Sequence, residues 1–188
     1  MNTPVLPDNL PEPLDDGACA HLEGMAFPAV ALASTDGPVT LAAQPGTVVV
    51  YLYPRSSPDH DDPDGWDAIP GARGCSPQGC AFRDHQAELA AHDARVFGLS
   101  TQAVDYLSGE VARLHLPFPL ISDSALVLRE ALQLPLLDVP AGVPECYRRI
   151  TLILRAGRIV KVFYPVFPPD KNAEQVLAWL QAHPGQPG

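Results

Sequence analysis

Short apolar runs alternate with amphipathic stretches along this chain, and the alternation sets out its elements. Thr47-Val48-Val49-Val50-Tyr51-Leu52-Tyr53 carries four β-branched residues and two tyrosines and reads as a buried strand. Pro54 ends it, because proline cannot donate to a ladder. From Cys75 to Ala91, apolar Ala81, Phe82, Leu89 and Ala90 recur at helical spacing, with Ser76 as the predicted N-cap and Pro77 as the first helical residue. Arg95 to Ser100 predicts a second buried strand, and Gln102 to Leu114 a helix with Val104, Leu107, Val111 and Leu114 on its apolar face. Pro117-Phe118-Pro119 forces an extended passage to Ile121, after which Ser122 or Asp123 caps a helix through Leu126, Val127, Glu130 and Leu134. Tyr147 to Leu154 and Arg158 to Tyr164 predict a strand pair turning at residues 155–157. A last helix, capped by Asp170 or Asn172, buries Ala173, Val176, Leu177 and Leu180 before Pro184 and Gly185 stop it.

Polar and breaker-rich stretches separate these elements. Residues 1 to about 24, with Pro4, Pro7, Pro11 and Pro13 among acids, predict an extended or mobile arm in which Cys19 is exposed. Two apolar runs, 27–33 and 39–41, flank Ser34-Thr35-Asp36-Gly37-Pro38 and signal a hairpin. Residues 55–73 hold Asp59, His60, Asp61, Asp62, Asp64 and Asp67 among prolines and glycines. They predict an irregular loop that Trp66 and Ile69 pin over the site ahead of it. His60 among these aspartates lacks the spacing of a calcium loop and reads as solvated. Strands alternating with helices, then a hairpin and a closing helix, predict one mixed-sheet α/β domain over residues 1–188.

Composition narrows what such a domain does. A net charge of −10 without a basic cluster argues against nucleic acid as a partner. The absence of an 18-residue apolar run argues against a membrane span, and Asp8, Glu12, Asp15 and Asp16 stand where a signal peptide would be basic and then apolar. A cytoplasmic location is the expectation. Four cysteines in 188 residues are too few for a disulfide scaffold, so any role for them is catalytic or redox.

Gly74-Cys75-Ser76-Pro77-Gln78-Gly79-Cys80 is where that chemistry concentrates. Cys75 sits at a helix entrance, whose unpaired N–H groups and positive dipole end favour a thiolate. On a regular helix, Cys75 and Cys80 would have Cα atoms about 8.6 Å apart, and a disulfide needs roughly 4.4–6.8 Å. If the two bridge, the first turn must unwind, which implies a folded and a locally unfolded state. Two inert buried cysteines are the plainer alternative. A zinc site from Cys75, Cys80, His85 and Cys146 lacks the usual cysteine spacing.

Taken with its surroundings, this stretch resembles the peroxiredoxins of the bacterioferritin-comigratory, or Q-type, group. The resemblance rests on Tyr53-Pro54, Gly74-Cys75-Ser76, Cys80, Phe82-Arg83-Asp84, Gly98-Leu99-Ser100, Leu116 to Asp123, Arg149 to Ile153 and Gly157-Arg158-Ile159, in the family's order, from about Leu22 to Leu180. It implies a thioredoxin-like fold, a central mixed sheet flanked by helices with an N-terminal β-hairpin. It further implies a peroxidase in which Cys75 is oxidised to a sulfenic acid, Cys80 resolves it as a disulfide, and Arg149 stabilises the developing charge, with no cofactor. The implied partners are hydrogen peroxide or small hydroperoxides and a thioredoxin-like reductant, with the protein a monomer or a homodimer. Arg148, on the opposite strand face, reads as a surface ion pair, His85 as too far from Cys75 to be its base, and Cys146 as buried and inert.

One departure from the family pattern matters. The hydroxyl expected three residues before Cys75 is replaced by Ala72, and Ala68 stands seven before it. Ser56 or Ser57 folding back, or a backbone N–H with Arg73, are the available substitutes. The departure motivates a second reading, a redox-sensing or binding module on the same scaffold. A thiol–disulfide oxidoreductase is the third, disfavoured because four residues separate the cysteines rather than two.

Overall fold

A computed structural model describes residues 6–57 and 62–185; Asp59, His60 and Asp61 of the acidic loop lie outside them. The strands are β1 (Ala33–Ser34), β2 (Thr47–Leu52), β3 (Ala94–Ser100), β4 (Leu120–Ser122), β5 (Ile150–Arg155) and β6 (Arg158–Phe163), and the helices are α1 (Cys75–Asp84), α2 (Gln86–Ala91), α3 (Val104–Leu114), α4 (Val127–Leu132) and α5 (Asn172–Ala182). The strands form one sheet in the order β1-β4-β3-β2-β5-β6. β2 runs parallel to β3 and β3 to β4, whereas β5 is antiparallel to β2 and β6 to β5. This is the mixed α/β sheet that the alternation of elements predicts.

The run of β-branched residues makes β2 the centre of the sheet, and all six of its residues are buried. Alternation divides them between two cores. Val48, Val50 and Leu52 pack with Leu22, Phe27, Leu128 and Tyr147 on one face. Val49 and Tyr51, with Tyr53 just beyond the strand, pack on the other face with Cys75, Phe82, Leu107 and Val176, which come from α1, α3 and α5. The site forms on this second face, at the end of β2 where its parallel neighbours also finish.

Four local expectations change. The helix expected over 75–91 divides at His85, whose backbone (φ −97°, ψ 10°) leaves the helical region and whose ring pairs with Glu88 in α2. Gly74, rather than Ser76, is the N-cap of α1, so Cys75 is the first helical residue. A side chain at Gly74 is excluded twice: its φ is +109°, and a Cβ there would lie 2.3 Å from Pro169 Cγ. The expected hairpin is reduced to the reciprocal bonds between Leu32 and Val39, both 2.9 Å, because β1 pairs with β4 instead. Cys19 is buried at 4% exposure, not exposed, since the turn around it delivers Leu22 into the first core.

Candidate active site

Cys75 opens α1 and is 8% exposed. Its Sγ lies 3.3 Å from Arg149 Nη2 and donates to the Ala72 carbonyl at 3.7 Å. Arg149 immediately precedes β5, which lies antiparallel against β2 with Ile150 opposite Leu52. That register carries the guanidinium to the end of β2, where α1 begins. The same Nη2 faces the carbonyls of Gly71, Ala72 and Arg73 at 3.0–3.2 Å, and Nη1 donates to Gln78 Oε1 at 2.6 Å. Arg149 is 3% exposed, so this multiple anchorage offsets the cost of burying its charge.

The anchorage extends through Gln78 to Asn172 and Thr151, to none of which the sequence reading gave a place in the site. Gln78 Nε2 donates to Asn172 Oδ1 at 3.0 Å, and Thr151 Oγ1 donates to the same oxygen at 2.6 Å. Gln78, Asn172 and Thr151 are all fully buried. Asn172, expected as a helix cap, is instead a buried joint between α1, β5 and α5. A signal for Gln78 was present: three residues after Cys75, it shares the cysteine's helix face.

Arg148 behaves as strand alternation predicts. It turns away from Cys75, pairs with Asp16, and donates to Tyr164 Oη at 2.6 Å and to the Leu136 carbonyl at 3.1 Å. His85 sits past the far end of α1 against Glu88. Cys80 is five residues on in the same helix and 1% exposed, in the cluster where Tyr51 stacks on Phe82 with ring centroids 4.7 Å apart. Burial pushes its thiol above the ordinary value, opposed by Arg83 nearby. Both thiols are free.

A cavity of about 240 Å³ opens over Cys75, lined among others by Arg55, Ser56, Ser57, Ala72, Arg73 and Arg113. Ser56 and Ser57, the two serines expected to fold back, both line it, and the Ser56 hydroxyl donates to Gln102 Oε1 at 3.3 Å. Ser56 is held there by Gln102, which accepts from its N–H at 2.9 Å, and by Tyr106 Oη, which donates to its carbonyl at 2.7 Å. The Arg73 side chain pairs with Asp62 and Asp67, so what it offers the site is its carbonyl. Behind the loop, Trp66, Ala72, Leu137 and Cys146 form a small separate core. Burial, with a lesser contribution from nearby Cys75, pushes the Cys146 thiol up to about 12. Among the described residues, no three His, Cys, Asp or Glu side chains converge as metal ligands.

The Redoxin family model matches residues 22–177. Peroxiredoxin Q, chloroplastic, of Sedum lineare is 30% identical over 168 residues, covering 83% of this chain and 81% of the relative. Its counterpart in Suaeda salsa is 31% identical over 163 residues, covering 85% and 68%. Among solved structures, peroxidoxin BcpB from Mycobacterium tuberculosis superposes with a TM-score of 0.70 at 22% identity, covering 88% of this chain and 100% of that one. Xanthomonas campestris peroxiredoxin Q gives 0.67 at 23%, covering 94% and 99%. These superpositions identify the thioredoxin-like fold.

Proposed function

The chain belongs to the Redoxin family as a Q-type peroxiredoxin, a thiol peroxidase and oxidoreductase, and on that premise we propose that Cys75 is its peroxidatic cysteine, Arg149 its electrostatic catalyst and Cys80 its resolving cysteine. The observation that carries this reading is the guanidinium of Arg149, 3.3 Å from Cys75 Sγ and fixed by four further contacts. Arg149 and the N–H groups at the start of α1 put positive charge against the sulfur. There it stabilises the anionic nucleophile and the charge that moves onto oxygen as the O–O bond breaks.

Cys75 sulfur attacks the near peroxide oxygen, the O–O bond breaks, and the departing oxygen takes a proton as water or an alcohol, leaving Cys75 as a sulfenic acid. Cys80 then attacks that sulfur, the S–S bond forms, the S–O bond breaks, and hydroxide leaves with the thiol proton as water. A thioredoxin-type dithiol reduces the bridge. Hydrogen peroxide and small organic hydroperoxides suit a cavity of about 240 Å³, in which Ser56 or Ser57 supplies the hydroxyl that Ala72 lacks.

Because both cysteines lie within α1, resolution requires its first turn to open. The test is peptide mapping by mass spectrometry after one equivalent of hydrogen peroxide, on the reduced protein and on Cys80→Ser. A Cys75–Cys80 bridge in the first and sulfenic or sulfinic Cys75 in the second is the expected result. A free Cys75 thiol in both would overturn the assignment and return the chain to the sensing or binding reading.

A further inference from the structure

The first turn of α1 is gripped from two sides. On the sheet side, Cys75 and Gln78 meet Arg149. Ser76 is turned about 200° from Gln78 on the helix, and its Oγ accepts from Arg113 Nη2 at 2.9 Å. Arg113 belongs to α3, where Glu110 holds it in a two-pronged ion pair: Nε to Oε1 at 2.9 Å and Nη2 to Oε2 at 2.6 Å. Glu110 is only 2% exposed and follows Leu107 by three residues on the face that packs into the core. A carboxylate at that depth opposes folding unless it is paired. Its pairing here has one evident effect: it aims the guanidinium that reaches across to Ser76.

We propose that Glu110 and Arg113 form a latch on the first turn of α1, and that the latch sets how fast Cys75 sulfenic acid is resolved by Cys80 relative to its further oxidation. The inference rests on the assignment of Cys75 and Cys80 made above. Both latch residues lie on α3, so their ion pair survives when α1 opens, and the latch contact that opening breaks is the bond to Ser76. The hydroxyl can return to a guanidinium already in place once the cysteines are reduced. While the latch is closed, the sulfenic acid stays in the cavity and a second peroxide can oxidise it. In that step the sulfur attacks peroxide, the O–O bond breaks, and a sulfinic acid and water or an alcohol are formed. Once the latch is open, Cys80 reaches the sulfur first. Arg113 and Glu110 are thus positioning residues, acting through Ser76 on the helix that carries both thiols.

Ser76→Ala gives the clearest test because alanine favours helix more than serine does. An effect of helix propensity alone would slow opening, whereas loss of the latch speeds it. The full chain, reduced and then given one equivalent of hydrogen peroxide, is quenched with acid at intervals, and the Cys75–Cys80 peptide is quantified by mass spectrometry. Bridge formation is expected about three- to tenfold faster in Ser76→Ala and in Arg113→Met, and within twofold of the parent in Ser76→Thr, which keeps the hydroxyl. Under dithiothreitol recycling, the peroxide concentration that leaves half of Cys75 as sulfinic acid rises by a similar factor in Ser76→Ala. Unchanged or slower bridging in both Ser76→Ala and Arg113→Met, in a protein whose parent form does bridge, overturns the latch alone. A parent protein that never bridges overturns the two-cysteine assignment and the latch with it.

Discussion

At the scale of single residues, the site depends on one guanidinium whose position is fixed by several acceptors at once. Arg149→Met keeps much of the stem but removes every one of those donors. The second-order rate constant for hydrogen peroxide, followed by intrinsic fluorescence, is expected to fall about 10²–10³-fold. Arg149→Lys is expected to recover little, because one ammonium cannot reach Cys75 Sγ, Gln78 and the loop carbonyls together. Cys75 and Cys80 stood out in the sequence as two thiols at a helix entrance, and Arg149 only through the resemblance to the Q-type peroxiredoxins. Asn172 and Thr151 did not, and Gln78 did so only by its place on the cysteine's helix face. Neutral amides and hydroxyls carry no distinctive charge signal, and what marks these three is complete burial, a property of the folded chain. Glu110 left a fainter trace, an acid three positions after Leu107 on an apolar stripe, whose meaning depends on which helix lies opposite.

At the scale of elements, the strand and helix order followed from periodicity, while the ends of elements followed from contacts that periodicity does not contain. Gly74 caps α1 because the chain must turn with positive φ against Pro169, and β1 leaves its hairpin partner for β4 because the sheet offers it a longer-range neighbour. The loop before α1 shows the functional side of this. Trp66, buried at 3% exposure with Ala72, Leu137 and Cys146, ties down the segment whose carbonyls face Arg149. Trp66→Ala should cost that small core ~3 kcal/mol. Peroxidase activity is expected to drop at least tenfold while the far-ultraviolet circular dichroism stays close to the parent's, with hydrogen exchange rising in peptides covering residues 69–73. Equal loss of both signals would show that the loop is not a separable unit.

At the scale of the whole molecule, two buried thiols outside the proposed site tie stability to pH. Burial pushes Cys19 and Cys146 from 9.0 up to about 12. The unfolded chain therefore releases these protons near pH 9, and the folded chain only near 12. The stability they contribute is whole below the lower value and is lost as pH climbs through the higher one. Urea midpoints across that window should fall more steeply for the parent than for Cys19→Ala/Cys146→Ala; parallel curves would refute this account. The sheet order has one further consequence. Cys75 and its guanidinium lie 74 positions apart and meet only because β5 folds back beside β2. A growing chain has made its nucleophile long before it has made the group that arms it. Until β5 docks beside β2, Cys75 lacks the guanidinium that the proposed mechanism requires, so on that reading full reactivity waits for a long-range pairing.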